Sequence, residues 1–134
     1  MSMSPYTYIV YIATDSEFEF NDLHRRLSAL YEARPRRERV HSRATTIQVV
    51  DGGWTYHIRL SEAAHVNEEA RDVEGFMKEG DPRRARLAAS TARLELHGDR
   101  DRDMRYWHHS DIVLDELKKY DGLFIFDPMT PGFL

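Results

Sequence analysis

A sharp turn between two alternating segments constrains this chain most. Asp51-Gly52-Gly53 separates residues 44–50 from residues 53–60. Asp-Gly between alternating runs is a strong hairpin signal, because glycine tolerates the positive φ of a tight turn. In the second segment the large apolar side chains share one face, namely Trp54, Tyr56, Ile58 and Leu60. We expect that face to meet the core and the opposite face, with Thr55, His57 and Arg59, to meet solvent or a partner.

The remaining segments show either the apolar runs and alternation typical of strands or the three-to-four-residue spacing typical of helices. Residues 6–14, 92–97 and 123–126 are apolar or alternating and predict strands. Apolar residues recur every three or four positions before Ala33, between residues 66 and 77, and again around residues 111–120, which predicts helices. Asp81-Pro82 predicts the start of a further short helix through residue 89. Residues 34–43 are interpreted as a basic connector, and residues 98–105 as a polar loop.

The element order is therefore β-α-β-β-α-α-β-α-β. Its first part matches the split β-α-β order of ferredoxin-like folds, followed by an extra αβ unit. We expect a single α+β domain over residues 1–134, with a mostly antiparallel sheet and helices packed on one face. Residues 127–134, which contain two prolines, are expected to form an extended C-terminal arm.

Composition narrows the class of protein. The 134 residues include no cysteine and carry a formal net charge of −4, so disulfides, thiolate chemistry and cysteine-ligated metals are excluded. No apolar run approaches the ~20 residues that cross a bilayer, and the N-terminus does not resemble a secretory signal. We expect a cytoplasmic protein without membrane association.

Motifs for common enzyme chemistries are absent. The chain lacks G-x-G-x-x-G, the P-loop pattern, G-x-S-x-G and H-E-x-x-H. We therefore expect no cofactor and no catalytic residues.

A loop with alternating acids is the main metal candidate. Asp99, Asp101 and Asp103 resemble the opening of an EF-hand, but Met104 replaces the required glycine and three arginines neutralise the loop. His97 and His108 flank it and could add imidazole ligands. Adjacent His108 and His109 at a helix start are expected to point different ways. We expect no metal site. If a metal ion does bind, the candidate ligands are His97, Asp99, Asp101, Asp103 and His108.

Charge is distributed unevenly along the chain. The basic connector holds five arginines and one glutamate, yet it has no aromatic residue and the chain is acidic, so nucleic-acid binding is not expected. Residues 62–81 hold seven acids and residues 106–127 hold five. If these segments lie side by side, an acidic face would steer a basic protein partner. The predicted contact residues are Glu68, Glu69, Asp72, Asp111, Asp115, Tyr106 and Trp107, with the two aromatic residues as anchors.

The closing stretch LDELKKYDGLFIFDPMTPGFL, residues 114–134, combines a helix, a turn, an apolar strand and an FDP tail. With the acidic α+β layout, it resembles the ends of small bacterial immunity proteins that neutralise secreted polymorphic toxins. The resemblance covers the last part of the chain and transfers no functional residue. It implies a non-catalytic domain that occludes a cognate toxin by surface complementarity.

The sequence leaves three functions open. The first is the immunity-type protein-binding domain. The second is a small metal-dependent hydrolase with a His/Asp cluster around residues 97–108. The third is a self-assembling domain that pairs sheets through an exposed strand edge. Partner identity, strand order and oligomeric state are not determined by the sequence.

Overall fold

One antiparallel sheet forms the centre of the fold. The structure is a computed structural model that describes residues 4–134. Its strands are β1 (Tyr8–Ile12), β2 (Glu38–Arg43), β3 (Thr46–Asp51), β4 (Trp54–Ser61), β5 (Ala92–Gly98), β6 (Leu123–Asp127) and β7 (Gly132–Phe133). They lie in the order β2-β3-β4-β5-β1-β6-β7, and every neighbouring pair is antiparallel.

Helices cover both faces of this sheet. They are α1 (Phe20–Glu32), α2 (His65–Val73), α3 (Arg83–Ala88) and α4 (Trp107–Leu117), with a 3-10 turn at Glu74–Phe76. The apolar sides of α1 and α4 bury one face in a core that includes Val10, Leu27 and Val113. A second core on the opposite face joins α2 and α3 to β1 and β6.

The predicted class, a single α+β domain with an antiparallel sheet, is confirmed. The expectation that all helices pack on one face is wrong. Strand β1 is apolar on both sides, with Val10 in the first core and Tyr11 in the second. A strand buried on both faces needs a helix layer on each side. The pairs α1/α4 and α2/α3 supply those two layers.

The ferredoxin-like strand arrangement is not formed either. A split β-α-β unit places one strand between the two strands that its helix connects. Here three strands separate β1 from β2, and β4 lies directly beside β5. Element order along the chain does not determine strand pairing, which is decided by the complementarity of whole strand faces.

Residues 38–43, interpreted from sequence as part of a basic connector, form β2. This strand pairs with β3 along its whole length, from Glu38↔Asp51 to Arg43↔Thr46. As an edge strand it exposes charged side chains on one face, which discourages pairing with another chain. The predicted C-terminal arm also joins the sheet, because Gly132–Phe133 form β7 against β6.

No helix within residues 4–134 is long and apolar enough to span a membrane.

Candidate functional site

Two acidic side chains lie at core positions on neighbouring strands. Asp51 is in phase with buried Ile47 and Val49, so its carboxylate points to the side of the sheet that α1 and α4 cover. Glu38 pairs directly with Asp51 across the strands and points the same way. Each residue is only 6% exposed. Buried carboxylates need partners that compensate for the loss of water.

Helix α4 brings two histidines to these carboxylates. Its start is held by Asp101, whose carboxylate accepts hydrogen bonds from the backbone N–H groups of Arg105 and Tyr106. His109 is fully buried, whereas His108 is partly exposed. The imidazole rings are 4.1 Å apart between centroids. The expectation that these adjacent histidines point different ways is therefore wrong.

The four side chains converge on one small volume. Nε2 of His109 lies 3.0 Å from Oδ2 of Asp51 and 3.5 Å from Oε1 of Glu38. Nε2 of His108 lies 3.8 Å from the same Glu38 oxygen. One ligand atom from each residue lies within 4.8 Å of the others. We call Glu38, Asp51, His108 and His109 the His/carboxylate cluster.

Residues around the cluster orient it. The Tyr31 hydroxyl on α1 is 2.5 Å from Nδ1 of His109. Arg34 donates to Oε1 of Glu38 at 2.8 Å, and Nε of Arg37 lies 3.2 Å from Oδ1 of Asp51. The cluster thus joins α1, β2, β3 and α4.

Burial determines the protonation of this network. It lowers the pKa of His109 below the ordinary value of 6.5, although the hydrogen bond to Asp51 opposes this effect. Burial also raises the pKa of the Tyr31 hydroxyl well above its ordinary value. A neutral imidazole that donates from Nε2 to Asp51 accepts at Nδ1 from the Tyr31 hydroxyl. A neutral imidazole is also the form that binds metal ions.

A cavity of about 460 Å³ adjoins the cluster. Its lining combines carboxylates and His108 with three guanidinium groups, and consists of Arg34, Arg37, Glu38, Asp51, Gly52, Arg105, Tyr106 and His108. Guanidinium groups bind carboxylates and phosphates through paired N–H donors. Arg34 and Arg37 are already paired with Glu38 and Asp51, so a cation that took over these carboxylates would leave both guanidinium groups to an anion in the cavity.

The sequence-predicted metal candidates occupy separate positions. Asp99 receives the backbone N–H of Thr55 and bonds to His57 at 2.9 Å, and Asp101 accepts from the Tyr6 hydroxyl at 2.7 Å. Asp103 is exposed, and His97 stacks on His57 with 4.7 Å between ring centroids. Of the five candidates, only His108 belongs to the His/carboxylate cluster.

The predicted acidic face is not formed. Helix α2, with Glu68, Glu69 and Asp72, covers the opposite face of the sheet from α4, with Asp111 and Asp115. Glu69 is moreover paired with Arg93. Two acidic surfaces face away from each other because the helices belong to different layers.

The predicted aromatic anchors differ in exposure. Tyr106 stacks on buried Trp54, with 4.8 Å between centroids, and is only partly exposed. Trp107 is 49% exposed. Of these two residues, Trp107 is the one that presents a large apolar surface to a partner.

One face of the sheet is left uncovered by the described residues at β2, β3 and β4. Within residues 4–134, the second core contains no side chain from β2, β3 or β4. The outward side chains of these strands, together with Glu95 and His97 of β5, form what we call the open sheet face: Arg39, His41, Arg43, Thr46, Gln48, Val50, Thr55, His57, Arg59, Ser61, Glu95 and His97. The strand registers align His41, Gln48, His57 and His97 in one row across four strands.

The sequence analysis did not predict that six side chains lie together: Tyr31, Arg34, Arg37, Glu38, Asp51 and His109. Weak signals were present: Asp51 continues the alternation of Ile47 and Val49, and His109 lies four residues before buried Val113. These positions indicated burial. That the residues meet depends on the β2–β3 register, which the sequence did not predict.

Comparison of the chain with protein-family models, curated proteins and solved structures finds no match.

Proposed function

We propose that this protein is a non-catalytic binding domain that holds a protein partner against the open sheet face, in the manner of an immunity protein that occludes a toxin. The observation that carries this proposal is that, among residues 4–134, no helix packs on one face of β2, β3 and β4. An antiparallel sheet commonly leaves one face in solvent, so this part of the sheet is free to receive a partner.

Charge indicates the kind of partner. Arg39, Arg43 and Arg59 are exposed on the open sheet face, and none of them forms an ion pair with another residue in the described range 4–134. The chain as a whole has a net charge of −4. Glu95 of β5 lies opposite Arg59 but is paired with Arg93, so a local excess of positive charge remains and complements an acidic patch on the partner. The acidic residues of α2 and α4, predicted as contacts, remain outside this surface.

A protein partner fits this surface better than nucleic acid. Single-stranded nucleic acids bind sheet faces by stacking bases on aromatic side chains. The open sheet face has no Phe, Tyr or Trp among its outward side chains. The unpaired arginines and the polar row across the strands instead suit carboxylates and backbone groups of a protein.

The decisive experiment is co-expression with the product of a neighbouring toxin-like reading frame. We expect the wild-type protein to restore growth and to bind the purified toxin. The double variant Arg43→Glu/Arg59→Glu should bind at least about tenfold more weakly, because both charges would then repel the acidic patch.

The matched control is Arg36→Glu/Arg102→Glu. It makes the same charge change at two exposed arginines outside the open sheet face. Equal loss of binding in both double variants would contradict the proposal, as would failure of the wild-type protein to protect cells. Preferential binding of RNA over the toxin would assign the surface to nucleic acid instead.

A second candidate function, hydrolysis of an anionic substrate, is favoured by the arginine-lined cavity beside the His/carboxylate cluster. In this function the cluster would hold an ion that activates water, and the arginines would bind the substrate. Purified protein with Mn²⁺ or Zn²⁺ should then cleave a chromogenic phosphodiester, and His108→Ala should abolish cleavage. A cleavage rate equal to that of the metal ion in buffer alone would contradict this function.

A further inference from the structure

We infer that the His/carboxylate cluster is a binding site for one divalent cation of the zinc class. This inference does not depend on either proposed function, because an ion held by all four side chains would lock α4 to the β2–β3 hairpin, whereas one held by three of them would keep a position for water. The argument rests on the ligand set, its spacing and the groups that orient it.

The ligand set has the composition of a zinc site. Two imidazoles and two carboxylates offer four donor atoms, and each donor type is a common zinc ligand. Hard cations such as Ca²⁺ require six or more oxygen ligands. The cluster provides too few oxygens for calcium and no cysteine sulfur, so borderline ions are favoured.

The spacing matches a tetrahedral centre. Ligand atoms about 2.0–2.1 Å from zinc at tetrahedral angles lie about 3.3 Å from one another. Three of the six separations are 3.0 Å between His109 and Asp51, 3.5 Å between His109 and Glu38, and 3.8 Å between His108 and Glu38, and all six are within 4.8 Å. They lie on both sides of the ideal value, so small side-chain rotations suffice to place an ion among them.

The surrounding groups supply the supports that metal ligands usually have. A metal-bound imidazole commonly forms a hydrogen bond through its second nitrogen, which fixes the ring. Tyr31 occupies that position at Nδ1 of His109. Arg37 contacts Oδ1 of Asp51 and leaves Oδ2 directed at His109. When an ion binds at Nε2, the imidazole proton resides on Nδ1 and is donated to the Tyr31 oxygen.

The pairing of Glu38 and Asp51 with arginines competes with metal binding. Arg34 donates to Oε1 of Glu38, the oxygen nearest to both histidines. The Arg37 side chain is 71% exposed and can move into solvent, and the Arg34 side chain is 35% exposed. The cavity beside the cluster gives an ion access from solvent through Glu38, Asp51 and His108.

The test uses tag-free, chelator-treated protein and ZnCl₂ alone. Titration calorimetry, with metal analysis after gel filtration, should give one zinc per chain. Replacement by Co²⁺ should produce the visible absorption of a tetrahedral site. His108→Ala should weaken binding at least tenfold; this side chain is 34% exposed, so its truncation leaves the core intact. Tyr31→Phe should weaken binding by about 10–100-fold.

The matched control is His65→Ala, which removes an exposed histidine on α2 at the opposite face of the sheet. It should bind zinc like the wild type. Absence of stoichiometric zinc in the wild-type protein would overturn the inference, and so would equal binding by His108→Ala and His65→Ala. Circular dichroism of each variant shows that the fold is retained.

Discussion

Glu38 and Asp51 stand directly opposite each other on β2 and β3, and both carboxylates point under α1 and α4. Like charges at directly opposite positions destabilise a sheet. Here Arg34 and Arg37 from the connector between α1 and β2, and His109 from α4, offset the repulsion. The acidic pair therefore anchors the edge hairpin to the helix layer.

Removal of one carboxylate of this pair should lower the stability of the fold. Asp51→Ala leaves buried His109 without its Nε2 partner and the Arg37 guanidinium without its ion pair. We expect a loss of about 3 kcal/mol in the free energy of unfolding, measured by urea denaturation.

Asp103→Ala is the matched control for that change. Its carboxylate is exposed and, within residues 4–134, its one ion pair is with Arg105 at 3.8 Å, so the expected change is within about 0.5 kcal/mol. Similar losses in both variants would show that the buried network contributes no stability of its own.

The close approach of β5 to Trp54 gives a second prediction. A Cβ atom at Gly98 would lie 2.7 Å from Cζ2 of Trp54 and 3.1 Å from Cδ2 of Tyr6. Trp54 is buried and stacked on Tyr106, so it cannot move freely. Gly98→Ala should therefore destabilise the protein by about 1–3 kcal/mol. Gly75→Ala, where no heavy atom lies within 4 Å, should be nearly neutral in the same thermal melt.

Stability should fall as the pH is lowered through the range in which His97 titrates in the unfolded chain. The pKa of His97 is held below 6.5 mainly by burial and to a smaller extent by the charge of neighbouring His57. Asp99 and Glu95 act in the opposite direction. The unfolded state therefore binds a proton at a higher pH than the folded state does. This contribution to stability is present above pH 6.5 and is lost as the pH falls below it.

Melting curves from about pH 7.5 to about pH 5.5, with chelator present, check this expectation. His97→Gln should show a smaller fall in Tm than the wild type. Some dependence should remain, because burial also lowers the pKa of His109. Parallel curves for the two proteins would exclude His97 as a contributor.

Salt should act on the association rate of the proposed complex. Arg43 and Arg59 are exposed, so their attraction to an acidic partner is screened at high ionic strength. Surface plasmon resonance should show slower association with rising salt and little change in dissociation. Arg43→Glu/Arg59→Glu should lose this dependence. Dissociation that accelerates more than association slows would argue against steering by these arginines.

Local periodicity predicted most of the elements. Strands β3, β4 and β5 lie within or beside the predicted segments because their period of two places apolar side chains on a buried face, and β1 and β6 do so because they are continuous apolar runs. Trp54, Tyr56 and Ile58 face the core as expected. The hairpin at Asp51-Gly52-Gly53 also forms, and Gly52 has a φ of +60°.

Strand β2 was missed for a physical reason. It lies at the sheet edge, so Arg39, His41 and Arg43 remain in solvent and only Val40 marks the inner face among the apolar residues. Its other inward residue near the core is Glu38, which is charged. A strand stabilised by pairing with β3 and by buried ion pairs leaves little hydrophobic signal in its sequence.

The sequence by itself determined where the chain is helical or extended and which side of most elements is apolar, because these properties depend on residues within one or two turns. Only the tertiary structure decided that helices cover both faces, that α2 and α4 separate the two acidic surfaces, and that Glu38, Asp51 and two histidines meet. Those outcomes depend on strand register and layer packing between residues as far apart in the chain as Ile9 and Phe126, and no local pattern contains that information.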